Sequence, residues 1–134
     1  MAPTEELFQI LYVSQLTPET SFDAVNEIIT VSRRTNPTRG VTGALLYDGE
    51  YFGQLLEGSE AVIVALMQRI EADPRHRTIT PLVCQPAGTT RLMRVWRSGY
   101  CEAQQLEVFI NDASLRGPAA LAAFLSILQG ADVE

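Results

Sequence analysis

The chain contains no lysine; all ten of its basic residues are arginine. That excludes a lysine Schiff base and the phosphate-binding lysine of a P-loop. Histidine is nearly absent too, with His76 the single example, and the two cysteines, Cys84 and Cys101, stand far apart. One histidine and two distant cysteines cannot build a zinc site, and no CxxC pair is present for redox work. A hydrolytic triad would have to use His76, and no nucleophile-elbow motif accompanies it. No GxGxxG or P-loop phosphate cradle occurs. A basic stripe is missing as well. With a net charge of −6, nucleic acid is a poor partner. No apolar run reaches the length of a membrane span. The acidic start, Met1–Glu6, does not read as a secretory leader. The expectation is a soluble, cytoplasmic protein with reduced thiols, no metal, no membrane partner and no enzymatic constellation.

What is present is an ordinary globular composition: 134 residues, 46% of them apolar. That length suits one core and is short for two. Residues 7–14 read as a first strand, and Thr20 or Ser21 can N-cap a helix over 22–34. Phe22, Val25, Ile28, Ile29 and Ser32 recur at helical spacing and define its inner face. Asn36-Pro37 ends that helix, because a residue before proline is pushed out of the helical region. A second strand is expected over 41–48, with Asp48-Gly49 as a two-residue hairpin into a third over 50–57. A second helix over 60–72 carries Val62, Leu66, Met67 and Ile70 along one side and stops at Asp73-Pro74. A fourth strand follows over 78–85, a fifth over 93–101, and an Ala/Leu-rich helix over 114–128.

This order predicts an α+β fold: a ferredoxin-like βαββαβ sandwich with a fifth strand and a C-terminal helix. Its first and third strands are then neighbours at the centre of the sheet. Tyr12 shares a face with Phe8, Ile10 and Ser14, and Gln54 shares one with Phe52 and Leu56. A phenol and a carboxamide inside apolar strands need partners, since burying either unpaired costs roughly 1–3 kcal/mol. Taken alone, Tyr12 is a packed tyrosine with a satisfied hydroxyl, Asn36 a helix-stop residue, Arg69 a solvated charge, His76 a cap for local carbonyls and Trp96 a core residue. Glu57-Gly58 most simply ends a strand. Together, Tyr12 and Gln54 under two helices suit a planar ligand with its own donors and acceptors.

The motifs occur in a telling order. Leu11-Tyr12-Val13-Ser14 is followed by Asn36-Pro37, then Gly40-Val41-Thr42-Gly43-Ala44-Leu45-Leu46-Tyr47. Phe52-Gly53-Gln54-Leu55-Leu56-Glu57-Gly58 comes next, then Arg69 and Asp73-Pro74-Arg75-His76, and finally Arg91 and Trp96. Over residues 7–102 this series resembles the BLUF family, the blue-light sensors that use FAD. The resemblance implies noncovalent FAD, with FMN or riboflavin as the other flavins such a site can accept, held between the two helices. It implies that Asn36 bonds the pyrimidine edge and that Gln54 bridges flavin and Tyr12. Arg69 would address the C2 carbonyl side or ribityl chain, and Ile28 and Ile70 would flank the ring, with Phe52, Ser32 and His76 nearby. Tyr12 and Gln54 would carry the photochemistry: electron and proton transfer from the phenol, then rearrangement of the amide. Trp96 and position 98 would relay the signal.

The sequence departs from the pattern on the last strand. Met93 stands where an aromatic residue is usual, and Ser98 where a methionine is usual. Serine at 98 is too short to pack on Gln54 as methionine would, although its hydroxyl could offer that amide a hydrogen bond. The expected organisation is a flavin-binding domain over 1–110 and a helical extension over 111–134; the open face of a ferredoxin-like sheet needs cover, and Leu115, Leu121, Phe124, Leu125 and Leu128 supply an apolar stripe for it. Output would run through a downstream protein partner or a homo-oligomer. A flavin module with impaired signalling, and a ferredoxin-like interaction protein without flavin, remain as alternatives.

Overall fold

Alternation of side chains across a central strand organises the molecule. The computed structural model describes residues 6–134. Strand β1 (Phe8–Leu16) sends Ile10 and Tyr12 to one face of the sheet and Leu11 and Val13 to the other, and all four are buried. It lies between β3 (Tyr51–Gly58) and β4 (His76–Pro86), with β2 (Thr42–Tyr47), β5 (Trp96–Tyr100) and β6 (Asp132–Val133) beyond β3. The sheet order is β4-β1-β3-β2-β5-β6, antiparallel except for the parallel pair β2–β5. The ferredoxin-like α+β architecture expected from the sequence is present, with β6 an addition too short for any periodicity to reveal.

Helices α1 (Phe22–Thr35) and α2 (Glu60–Ala72) cover one face. Ser21 caps α1, its hydroxyl accepting from the Ala24 amide. Val25 and Ile29 from α1, and Ile63 and Met67 from α2, are buried on Ile10, Phe52 and Leu56. Phe22, expected on the inner face, is instead 59% exposed, at the first position of the helix. Ile63 lies off the expected stripe yet is fully buried. Helix α1 does not end by the expected route. Asn36 before the proline keeps helical angles, φ −59° and ψ −44°. The chain runs on through a short 3-10 turn (Pro37–Arg39) and breaks at Gly40, whose φ is +70°. Proline tolerates the first position of that turn because no N–H is needed there.

Three other boundaries shift for local reasons. The hairpin turns on Gly49-Glu50 rather than Asp48-Gly49: the Asp48 amide donates to the Tyr51 carbonyl, and Asp48 Oδ1 accepts from the Glu50 and Tyr51 amides. The fifth strand begins at Trp96, three residues later than expected, because the Leu92 and Met93 amides are taken by the Glu57 carboxylate. The C-terminal helix α4 spans Pro118–Gly130 and follows a separate short helix α3 (Val108–Asn111), the break falling at Gly117 with φ +63°.

The opposite sheet face is covered by α3, α4 and the turn before α3. Leu106, Phe109, Ala120 and Phe124 are fully buried against Leu11, Ala44, Leu46 and Leu55. Leu115, Leu121, Leu125 and Leu128 are only partly buried around that contact. Gly53 makes the close approach possible: a Cβ there would meet Leu106 Cδ2 and Phe124 Cε2 at 3.2 Å. No helix among the described residues is long and apolar enough to cross a membrane.

Candidate flavin site

Register brings the two polar residues together. Tyr12 on β1 is the direct partner of Gln54 on β3, and Gln54 is in turn the partner of Leu45 on β2. Both polar side chains face α1 and α2. Gln54 Nε2 donates to the Tyr12 hydroxyl at 2.6 Å, and Gln54 Oε1 accepts from Trp96 Nε1 at 3.1 Å. All three residues are buried. An indole N–H can only donate, so Trp96 fixes which end of the carboxamide is oxygen. The NH₂ is thereby directed at Tyr12, whose hydroxyl acts as acceptor and keeps its own proton available. The Trp96 indole reaches Gln54 from the far side of β2, where Trp96 pairs with Gly43. Gly43 has φ +148°, and a Cβ there would lie 1.8 Å from the Leu55 carbonyl oxygen, so no side chain can stand at that position.

Tyr12 and Gln54 form one wall of a narrow slot between the two helices, about 60 Å³ in volume, apolar with a few placed polar groups as cofactor sites are. Its other walls are Ile28, Ser32 and Asn36 from α1, Leu66 and Ile70 from α2, Leu45 and Phe52 from the sheet, and Asp73 and His76 after α2. Asn36 is buried and lines the cavity. A carboxamide on a cavity wall fits a ligand edge that both donates and accepts, as a flavin pyrimidine does. An apolar slot with a few polar groups on one wall fits a planar aromatic ring.

Burial pushes the Tyr12 phenol well above its ordinary value; the Gln54 hydrogen bond opposes this and the Asp73 charge adds to it. The phenol is therefore neutral throughout the physiological range. At the far end, Asp73 is held in a fork by Arg75, at 2.6–3.1 Å, and that contact lowers the carboxyl below its ordinary value. His76 bridges two elements: Nε2 faces the Ile70 carbonyl and Nδ1 the Ser14 hydroxyl at 2.8 Å. A carbonyl only accepts, so Nε2 carries a proton, and in the neutral ring Nδ1 accepts from Ser14.

Two expected residues stand apart from this cavity. Arg69 is exposed on α2 and is not among the residues lining it. Ser98 is buried on β5 beside Leu45, so a whole strand separates it from Gln54. Its hydroxyl accepts from Arg33 of α1 and not from Gln54. Met93 lies in the loop before β5, partly buried on the opposite sheet face. Asp73 was visible only as a helix stop, and Leu45 only as a strand residue. The largest omission is Glu57. It is fully buried, and its carboxylate accepts from the Leu92 and Met93 amides at 2.9–3.2 Å and from Gln9 Nε2 at 3.5 Å. Among the described residues no group of three or more His, Cys, Asp or Glu could hold a metal ion.

Comparison with known proteins follows the same geometry. The model of the family "BLUF: Sensors of blue-light using FAD" matches residues 7–99. The blue light- and temperature-regulated antirepressor BluF of Escherichia coli (strain K12) is 34% identical over 85 residues, 63% of this chain and 21% of the relative. The photoactivated adenylate cyclase subunit beta of Euglena gracilis is 35% identical over 80 residues, 60% of this chain and 9% of the relative. The chain thus spans far less than two thirds of the length of these curated relatives. Among solved structures, the dark state of the BLUF protein BlrB superposes with a TM-score of 0.76 at 28% identity, covering 94% of this chain and 97% of that one. The photo-activated state of BlsA gives 0.71 at 25% identity, covering 90% and 92%. The chain belongs to the BLUF family of flavin-binding blue-light photoreceptors.

Proposed function

We propose that this family member holds FAD noncovalently between α1 and α2 and senses blue light through Tyr12 and Gln54. The observation that carries the reading is the buried series Tyr12–Gln54–Trp96, whose first two members line the cavity while Trp96 orients the amide from behind it. Asn36 is the residue suited to bond the polar edge of the ring, with Ile28 and Ile70 on its two faces and Phe52, Ser32 and His76 around it. Arg69, exposed on α2, remains a candidate for a flexible outer contact to the tail. When bound, the flavin supplies a blue-light-excited ring that accepts an electron. Tyr12 is the group able to give that electron together with its proton, since burial makes a bare phenolate costly. Gln54 carries a donor and an acceptor on one rotatable amide, so turning it, or moving a proton within it, reverses the pattern it presents. The light-adapted state then differs in hydrogen bonding and in no net chemical bond.

The chain on this reading is a sensor and not an enzyme. Its output reaches a separate protein partner or a second copy. The cyclase activity in the name of one relative belongs to a protein of which the chain matches 9%. A weaker output is the second reading, favoured by Ser98, whose hydroxyl is engaged by Arg33 instead of Gln54.

An absorption spectrum before and after blue light, with the released cofactor identified by mass, tests both ligand and function. Near one FAD per chain and a reversible red shift are expected. Tyr12→Phe should keep the flavin and lose the shift, and Gln54→Leu should lose the shift as well. Protein that stays colourless after incubation with FAD, or a normal shift in either variant, overturns the assignment.

A further inference from the structure

A second cleft opens where the end of α1 meets the loop between β4 and β5. Its volume is about 400 Å³, and Arg33, Arg91, Arg94, Thr42, Val95 and Trp96 contribute to its walls. It shares no lining residue with the flavin cavity. Among the described residues no aspartate or glutamate lines it, although the chain holds sixteen acidic residues against ten arginines. Three cations collected in one concavity of an acidic protein make a local positive field that the net charge hides.

The arginines are held there without adequate counter-ions. Arg91 is half-buried, and its Nη1 donates to Thr42 Oγ1 at 2.8 Å and to the Glu57 carbonyl at 3.2 Å, both neutral acceptors. The described residues show no carboxylate within ion-pair distance of Arg91 or Arg94. Arg33 reaches the exposed Glu134 only at 3.7 Å. The loop itself is pinned, because the Glu57 carboxylate takes the amides of Leu92 and Met93. A fixed guanidinium with donors to spare is preorganised for bidentate recognition of a carboxylate. Beside it, Val95 is 57% and Leu92 47% exposed, which gives the same surface an appetite for apolar side chains.

We propose that this cleft docks an acidic, partly apolar segment of a partner protein. Nucleic acid fits poorly, since a long polyanion would be repelled by the net charge of −6 and gain nothing from Val95 and Leu92. Trp96 joins the cleft wall to Gln54 through its indole N–H, so a docked segment would touch the residue that orients the amide. That last link rests on the photoreceptor reading; the docking itself does not.

The test uses the flavin-loaded chain in the dark and a short fluorescein-labelled peptide of glutamate and leucine, read by anisotropy. The same peptide with glutamine for glutamate, and an oligothymidylate, serve as counter-probes. Saturable binding of the acidic peptide is expected, weakening with salt. It should fall at least about tenfold in Arg91→Gln and in Arg94→Glu, as loss of a charge-assisted bond implies. Arg77→Gln, on the opposite edge strand, should leave it unchanged. Arg94 is exposed, so its replacement reports on the cleft even if the Arg91 variant folds badly. No binding of the acidic peptide, equal binding of the glutamine peptide, stronger binding of oligothymidylate, or an Arg94→Glu variant that binds normally would each overturn the proposal. None of these readings involves light, so failure here is distinct from failure of the photoreceptor reading.

Discussion

Replacing Trp96 by phenylalanine tests whether the indole holds the Gln54 amide in one orientation. The variant keeps an aromatic ring in the core but removes the one donor that reaches Gln54 Oε1. That oxygen is then buried without a partner, at about 1–3 kcal/mol, and the lost second ring adds a packing cost. Gln54→Leu has the complementary effect. It leaves the Trp96 N–H unpaired and takes away the Tyr12 contact of 2.6 Å. The double variant removes donor and acceptor together, which spares it the penalty of the orphaned group. The two single losses should therefore exceed the double loss by about 1–3 kcal/mol. With an m-value of roughly 1–3 kcal/mol/M, a coupling of that size moves the urea midpoint by about 1 M relative to additivity. All four proteins are compared by urea unfolding at one fixed free-flavin concentration, since a ligand of the folded chain adds its own stabilisation. Additivity within about 0.5 kcal/mol would mean that Trp96 merely packs nearby, and that the amide is oriented by something else.

Other parts of the molecule give equally direct tests. Glu57→Gln should destabilise the fold by about 1–3 kcal/mol, because an amide cannot serve both N–H groups with a full negative charge; hydrogen exchange should quicken at Leu92 and Met93, and unchanged protection there would refute the clamp. Arg75 holds the Asp73 carboxyl below its ordinary value, so this pair contributes stability above the unfolded carboxyl value, lost as pH falls through the lower folded one; Arg75→Gln should move the acid-unfolding midpoint to higher pH, and no movement in a circular-dichroism titration would count against it. Phe124→Ala should cost about 3–5 kcal/mol as a fully buried aromatic, and truncation at Asn111 should expose the apolar sheet face and cause aggregation; a monodisperse, fully stable truncated protein in size-exclusion chromatography would show the helix to be dispensable.

Legibility followed the range of the physics. The period-two pattern of β1 and β3 put Tyr12 and Gln54 on named faces, and the βαββαβ order made their strands neighbours, so the direct pairing of the two was accessible from the sequence. Boundaries were less so. Asp48-Gly49 is a sound hairpin signal, yet the Asp48 carboxylate caps the turn from outside and shifts it by one residue. The proline rule for Asn36 was outweighed by a following turn that accepts proline at its first position. The apolar stripe on α2 missed Ile63 because that helix is apolar around more than one face. Ser98 was legible as a departure, but its partner Arg33 lies 65 positions away and on a helix, a distance at which no local pattern speaks.

Glu57 shows what kind of residue such reading overlooks and how it could be found. It stands in a strand whose eight residues are all buried, and a polar residue near the end of a strand looks like the place where burial stops. Its acceptors are filled by main-chain amides 35 and 36 positions on, which carry no side-chain signature. The clue was energetic: a carboxylate cannot be buried without several donors, so an acidic residue inside an apolar run implies a segment folded back on it. Here that segment is the loop carrying Arg91 to Met93, and the strand that follows it starts at Trp96. The residue that orients Gln54 is thus itself held in place from β3, three positions beyond Gln54. Polar groups on both faces of one strand, Gln54 toward the helices and Glu57 toward the other side, hold the same stretch of chain by two independent contacts.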